Sequence, residues 1–127
     1  MRIVVEGSGG HGAYPHRAHD PILALSHVVV ALQSLISRRL DPMHAAVFSI
    51  GWVRAGSAEN VIPGVAEAGG TLRALDPEDR VPLREMASEI VGEGVLRENA
   101  TRLYGLYSGS LVGAVRVPRP QASENKN

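Results

Sequence analysis

The stretch "DPILALSHVVVALQSLISRRLDP", residues 20–42, predicts a long amphipathic helix. Asp20 is a good N-cap, and Pro21 stands in the first turn, where a proline is tolerated. Pro42 ends the pattern. Apolar side chains recur at the three- and four-residue spacing of one helical face, at Leu25, Val28, Val29, Leu32, Leu35 and Ile36.

A second helix is predicted at residues 76–96, "DPEDRVPLREMASEIVGEGVL". Its first residues repeat those of the first helix: Asp76 is the expected N-cap, and Pro77 follows it in the first turn. Pro82 interrupts the pattern, so we expect the regular helix to begin there. Its buried stripe is expected at Leu83, Met86, Ala87, Ile90 and Val91.

Four segments around these helices have the composition of strands. In the second of them, Phe48, Ile50 and Trp52 are expected to alternate onto one face. In the third, the expected buried face is Ala66, Ala68, Leu72 and Ala74, opposite Glu67, Thr71 and Arg73. The four segments are "MRIVVEG" (1–7), "AAVFSIGWVRAG" (45–56), "VAEAGGTLRAL" (65–75) and "TRLYGLYS" (101–108).

The order of these elements is strand, helix, strand, strand, helix, strand. It predicts an α+β, two-layer sandwich: a four-stranded antiparallel sheet with two helices on one face, in the ferredoxin-like βαββαβ order. The other face of the sheet would stay open to water or to a partner.

Composition excludes several classes of function. The 127 residues include thirteen basic and thirteen acidic side chains, so no net charge attracts nucleic acid or an anionic membrane. The chain has no cysteine and therefore no thiolate chemistry. We predict no membrane-spanning segment, because we identify no window with the roughly 18–20 apolar residues that such a segment requires. We therefore predict a cytoplasmic protein with no nucleic-acid or membrane partner.

The run "GSGGHGAYPH", Gly7–His16, follows the first strand and carries two histidines, with His19 close behind. Dense glycines let a backbone turn tightly and approach another group closely. Three histidines suggest a metal site, but the sequence contains no His-x-Asp pair, no Glu-Glu pair and no HExxH spacing. We therefore predict no metal ligands in this chain. Ser8 also lacks the GxSxG setting of a catalytic nucleophile.

The same run contains the GxGxxG spacing of dinucleotide-binding loops, at Gly7, Gly9 and Gly12. Pro15 and the late helix start at Pro21 break the loop-to-helix geometry that holds a pyrophosphate. We therefore reject nucleotide binding.

Three polar residues, His11, Asn60 and Arg73, could share one site. A histidine with free approach can donate a hydrogen bond to a developing oxyanion, and an amide with an arginine fork can hold a carboxylate. No base or activated water accompanies them, so they predict half of a site. From the residues alone the alternatives stay open: His11 and Asn60 as turn residues, and Arg73 as a surface charge on the sheet.

Three motifs together resemble one known family. They are "GGHGAYPHRAHDPI" (Gly9–Ile22), "NVIPG" (Asn60–Gly64) and "GGTLRALD" (Gly69–Asp76). In this order and spacing they resemble the inserted dimerisation, or lid, domain of the zinc-dependent peptidase family M20, in its aminoacylase, hippurate hydrolase and N-acyl-amino-acid amidohydrolase group. The resemblance covers residues 1–108, and residues 109–127 form an unmatched tail that we expect to be disordered at its end.

The resemblance implies roles for individual residues. His11 is similar to the lid histidine that reaches the partner subunit's active site and stabilises the tetrahedral oxyanion. Asn60 and Arg73 are similar to lid residues that help hold the substrate's terminal carboxylate. The loop-shaping residues implied are Gly10, Gly12 and His16.

The resemblance also implies what lies outside this chain. Whole members carry zinc or another divalent metal and a catalytic glutamate in a separate domain whose sequence flanks the lid. The chain is therefore expected to be inactive alone, to form a homodimer, and to meet an N-acyl amino acid only in a complete enzyme. The strand "AAVFSIGWV", residues 45–53, is the expected pairing edge.

Two other interpretations stay open at this point. In one, a separate polypeptide supplies the metal domain and this chain completes the active site with His11. In the other, the chain is a standalone ferredoxin-like interaction or small-molecule-binding domain without a catalytic role.

Overall fold

The computed structural model describes residues 1–94 and 115–116. This part of the chain is α+β with antiparallel pairing throughout, as the sequence predicts. Its elements, in chain order, are β1 Arg2–Glu6, β2 Gly10–His11, α1 Pro21–Ser34, β3 Ala46–Ala55, β4 Val61–Ile62, β5 Val65–Ala74, α2 Arg80–Glu89 and β6 Val115–Arg116.

The main sheet has β5 between β3 and β1, and β6 lies on the other side of β1. β6 has only two residues, both from the predicted tail, and it pairs with Val4 and Val5. The fourth strand predicted at residues 101–108 lies outside the described residues, so the single four-stranded sheet is not confirmed as predicted. A second sheet, formed by β2 and β4, was not predicted.

The first helix begins as its sequence predicts. The Asp20 carboxylate accepts hydrogen bonds from the backbone N–H groups of Ile22 (2.8 Å) and Leu23 (3.3 Å). Pro21 is the first helical residue. The α-helix ends at Ser34 and continues as a π-helical turn, Leu35–Arg39, so the helical segment stops before Pro42.

The second helix corrects the expectation for Pro82. Pro82 is the third residue of α2, and at that position the backbone N–H has no helical acceptor to lose. The predicted interruption there is therefore wrong. Asp76 instead caps a short 3-10 turn, Pro77–Asp79, by accepting from the N–H of Glu78 at 2.9 Å.

One hydrophobic core lies between the main sheet and both helices, and its burial drives the fold. Ile3 pairs with Ala68 and Val5 with Ala66, so these four side chains share the helix-facing side. The predicted helical stripes are confirmed, with Val29, Ile36 and Met86 only partly buried. The remaining buried members are Leu25, Val28, Leu32, Leu35, Phe48, Leu83, Ala87, Ile90 and Val91.

A β-bulge in β3 overturns the predicted face of Trp52. The register with β5 shifts between Ile50 and Trp52, which leaves Gly51 as an extra residue. An extra residue reverses the alternation of side chains beyond it. Trp52 therefore pairs with Gly69 on the open face, while Val53 pairs with the buried Ala68.

Gly69 makes room for this tryptophan. A Cβ built on Gly69 would overlap the indole ring of Trp52, whose face also carries the Arg54 guanidinium 5.0 Å from the ring centroid. We expect Gly69→Ala to displace the chain's single tryptophan and shift its fluorescence emission to longer wavelength. Gly92→Ala is the control, since a Cβ there meets nothing within 4 Å. Unchanged emission from Gly69→Ala would contradict the packing.

The first helical segment also corrects the membrane expectation. Residues Pro21–Arg39 are long enough and apolar enough, at a mean hydropathy of 1.4, to cross a membrane by length and composition alone. Leu25, Val28 and Leu32 nevertheless lie in the hydrophobic core. A core helix of a globular domain has the same composition. The buried side chains of this segment identify it as a core helix.

Candidate functional site

The predicted site residues His11 and Asn60 lie on a two-stranded arm that extends the β1–β5 pair. The arm consists of β2, β4 and the residues next to them. Gly7 donates to the carbonyl of Gly64 at 2.8 Å, and the pairing resumes in β2 and β4, where His11 faces Val61. The N–H of Gly12 then donates to the carbonyl of Asn60 at 2.8 Å. The arm therefore brings two residues together that lie far apart in sequence.

The glycines of the arm allow this close approach. A Cβ on Gly12 would lie 3.1 Å from the carbonyl oxygen of Asn60, and one on Gly9 would lie 2.8 Å from that of Ile62. A Cβ on Gly10 would lie 3.2 Å from the Cβ of Ala18. A larger side chain at any of the three would push the two strands, or the strand and the following turn, apart.

The His11 ring has one defined hydrogen bond. The backbone N–H of Ala13 donates to His11 Nδ1 at 3.0 Å. Because that nitrogen accepts, the neutral imidazole carries its proton on Nε2. His11 is exposed, so the Nε2–H is able to donate to a group that approaches the arm. This is the proton placement that an oxyanion donor requires.

Tyr14 supports the His11 ring from the following turn. Its N–H donates to the His11 carbonyl at 2.9 Å, and its ring centroid lies 5.8 Å from that of His11. The Arg17 guanidinium lies 5.5 Å from the Tyr14 ring centroid, and His16 approaches edge-on at 6.3 Å. Such ring and cation contacts favour one arrangement of the four side chains.

Arg73 lies at the opposite end of the molecule from His11. It occupies β5 opposite Val47 and is exposed on the open face of the sheet. The strand between Val65, where the arm joins, and Arg73 is roughly 25 Å long at the usual rise per residue. The structure therefore unites His11 with Asn60 but does not bring Arg73 to them.

One contact beside His11 was not predicted. Ser8 Oγ lies 2.8 Å from His19 Nδ1, and the two residues also form an isolated β-bridge. The two residues lie in a glycine-rich segment that was not predicted to be helix or strand, so periodicity could not reveal the pair. The serine and the excess of histidines around it were the only available signals.

The described residues do not fit a metal ion. Within residues 1–94 and 115–116, no group of three or more histidine, cysteine, aspartate or glutamate side chains is close enough to hold one.

Comparison with known proteins identifies the family. The profile of the family "Peptidase dimerisation domain" of the M20 peptidases matches residues 1–98. The chain belongs to the M20 dimerisation domain family. The sequence resemblance is thereby confirmed, although the predicted boundary at residue 108 stays a prediction because the match ends before it.

Curated relatives of this M20 dimerisation domain include bacterial hydrolases. A hippurate hydrolase of Campylobacter jejuni is 46% identical over 97 residues, which are 76% of this chain and 25% of the relative. An N-acetyldiaminopimelate deacetylase of Bacillus subtilis is 43% identical over 89 residues, which are 70% of this chain and 24% of the relative. The chain spans about a quarter of the length of these relatives.

Two solved structures share the fold and part of the sequence. One is described as an aminohydrolase of methicillin-resistant Staphylococcus aureus and has a TM-score of 0.71 at 30% identity. The match covers 91% of this chain and 27% of the chain in that structure. The other, YXEP of Bacillus subtilis, is described as a dinuclear metal-binding peptidase of the M20 family. It has a TM-score of 0.50 at 31% identity and covers 70% of this chain and 19% of its own.

The M20 dimerisation domain also holds a histidine ion pair outside the arm. His44 Nδ1 lies 2.8 and 2.7 Å from the two carboxylate oxygens of Asp79, which connects the start of β3 to the start of α2. The hydrogen bond and the charge of Asp79 raise the pKa of His44, with smaller contributions from Asp41 and Asp76. An open hollow of about 410 Å³ borders His44 and contains none of the predicted site residues.

This pair makes stability depend on pH. The pKa of His44 is raised in the fold. The pair therefore makes its full contribution to the stability of the folded state when the pH is below the ordinary histidine pKa of 6.5. The contribution is lost as pH rises through the raised pKa of His44. We expect Asp79→Asn to lower the urea midpoint most at about pH 6 and least at about pH 9. A difference from wild type that stays constant across this range would contradict the assignment.

Proposed function

We propose that this chain is the lid and dimerisation module of an M20 amidohydrolase that cleaves N-acyl amino acids. The observation that carries the proposal is the arm. It presents the exposed His11, with its proton on Nε2, beside Asn60 and away from the hydrophobic core. A donor held in that way suits the oxyanion that forms when a nucleophile adds to an amide carbonyl.

The module is proposed to supply only part of the active site. The chain spans about a quarter of relatives that are named as hydrolases and deacetylases. The metal ions and the base that activates water belong, in this proposal, to a metal-binding domain of the complete enzyme. Alone, the module is expected to have no hydrolytic activity. A cytoplasmic location and a full-length fourth strand stay predictions.

The positions of His11 and Arg73 support a shared active site built from two lids. One N-acyl amino acid is too short to span the roughly 25 Å of β5 that separates the arm from Arg73. In a two-fold dimer, each end of a lid can serve a different active site. We therefore propose that His11 and Asn60 of one lid meet Arg73 of the other lid around each substrate.

The edge strand β3 is the proposed dimer contact. It is the terminal strand of the main sheet and has ten residues, which is a long unprotected edge. Residues 51–55 are all exposed, and Arg54 is the only charged side chain in β3. Exposed apolar side chains on α1, at Ile22 and Val30, enlarge the surface available to a second copy.

Val53→Lys tests this contact. Val53 is 55% exposed, so the substitution should leave the fold intact while it places a charge at the pairing edge. We expect light scattering to show a dimer for the wild type and a monomer for Val53→Lys. Val81→Lys, at a 64% exposed valine on α2, is the control and should remain dimeric. Phe48 is unsuitable for this test because it is buried, and a charge there would unfold the domain.

A grafted enzyme tests the catalytic role. In it, residues 1–98, which match the family profile, replace the corresponding segment of the Campylobacter jejuni hippurate hydrolase, a relative that is 46% identical over 97 residues. We expect the grafted enzyme to hydrolyse hippurate, and the same enzyme without the segment to be inactive. A folded, metal-loaded and dimeric grafted enzyme that fails to cleave N-acyl amino acids would overturn the proposal.

A further inference from the structure

We propose that Ser8 and His19 form a clamp that holds the His11 loop, residues 9–18, and that both are positioning residues for His11. The inference rests on the proposed role of His11 as an oxyanion donor. It adds two residues to which the family resemblance gives no role.

The clamp begins with the backbone. Ser8 N–H donates to the His19 carbonyl and His19 N–H donates to the Ser8 carbonyl, both at 3.2 Å. These bonds close the two ends of the His11 loop against each other. A Cβ on the neighbouring Gly7 would overlap the carbonyl oxygen of His19, so the approach requires a glycine there.

The side chains add two further hydrogen bonds to the same closure. Ser8 Oγ accepts from the backbone N–H of His19 at 2.9 Å and lies 2.8 Å from His19 Nδ1. In the Nε2–H tautomer of His19 the serine hydroxyl donates a hydrogen bond to Nδ1, and in the Nδ1–H tautomer the ring nitrogen donates to Oγ. Both residues are half-buried, and both hydrogen bonds of the serine hydroxyl are made with His19.

The clamp connects the exposed part of the loop to the start of the first helix. His19 directly precedes the Asp20 cap of α1, and the adjacent Ala18 is only 7% exposed. Residues 11–17 are all exposed and add nothing to the hydrophobic core. The loop is also held by the two-residue pairing of β2 with β4, by the hydrogen bond from Gly12 to Asn60 and by its own turns. The direction of the His11 ring therefore depends on where the clamp holds the base of the loop.

Hydrogen exchange and histidine ¹⁵N NMR on this chain test the inference without turnover. In Ser8→Ala, the amides of Gly12 and Tyr14 should lose about tenfold in protection. A weaker closure lets the loop move away from Asn60, which accepts from Gly12, and loosens the His11 carbonyl, which accepts from Tyr14. The ¹⁵N shifts of His11 should move from the Nε2–H tautomer towards an average of both tautomers. His19→Ala should have the same effect.

Two controls separate positioning from general stability. Ser8→Thr retains the hydroxyl and should restore both the protection and the His11 tautomer, whereas Ser37→Ala, at an exposed serine beyond α1, should leave both unchanged. Unchanged loop amides in Ser8→Ala, or an equal loss of protection at core amides such as Val28, would overturn the inference. Inactivity of the wild-type grafted enzyme would count against the proposed function alone, since neither NMR readout requires turnover.

Discussion

Replacement of His11 by alanine is expected to lower kcat of the grafted enzyme by about 10²–10³-fold, the usual cost of removing one oxyanion donor. The Nε2–H of His11 would meet the substrate oxygen only when that oxygen becomes negatively charged. KM should therefore change little, because the ground-state amide gains little from the donor. Steady-state kinetics with hippurate at saturating metal gives both constants.

His16→Ala is the matched control for His11→Ala. His16 lies in the same exposed turn, and its ring approaches the Tyr14 ring edge-on rather than His11. We expect it to retain most of the wild-type kcat. If His11→Ala kept the wild-type kcat, or if both variants lost the same activity, the specific role of His11 would be wrong.

Replacement of Leu32 by alanine is expected to destabilise the fold by about 3 kcal/mol. Leu32 is fully buried in the last turn of α1, where it contributes to the core shared with the main sheet and α2. Alanine would leave a cavity that the surrounding side chains fill only partly. Urea unfolding at fixed protein concentration should show a lower midpoint with an unchanged slope.

Leu75→Ala is the comparison that isolates the effect of burial. Leu75 is 83% exposed, so the same chemical change there should alter the free energy of unfolding by no more than about 0.5 kcal/mol. Similar losses in the two variants would show that Leu32 does not occupy the core described above.

Local signals predicted the regular elements well. The Asp20 cap, the proline after it and the helical spacing of Leu25, Val28 and Leu32 are all confirmed. Each depends on contacts within a few residues, which a single sequence exposes directly. The fold class followed because the order of helices and strands restricts the possible topologies.

Features that depend on pairing between segments far apart in the sequence could not be predicted from the sequence alone. The bulge at Gly51 reversed the predicted face of Trp52, because one inserted residue changes every later alternation. Pro82 was misjudged because its effect depends on where the helix starts. α2 begins at Arg80, which places Pro82 in the first turn. The small β2–β4 sheet joins two segments that separately resemble loops.

The candidate site shows the same difference between features that the local sequence predicts and features that depend on contacts in the folded chain. Motif chemistry predicted His11, Asn60 and Arg73 as one group, whereas the structure places Arg73 at the far end of β5. The tautomer of His11 depends on the N–H of Ala13, and the clamp depends on a contact between Ser8 and His19. Sequence spacing cannot express such contacts, since they arise only when the loop closes.

The central claim is that each lid serves two active sites, with His11 at one end and Arg73 at the other. The most direct test mixes two weak variants of the grafted enzyme, His11→Ala and Arg73→Ala, under conditions that exchange subunits. Our account predicts that the mixture regains activity, because each mixed dimer holds one intact site and one site that lacks both groups. A mixture as weak as its two parents would contradict the account, since His11 and Arg73 of one lid would then serve the same site.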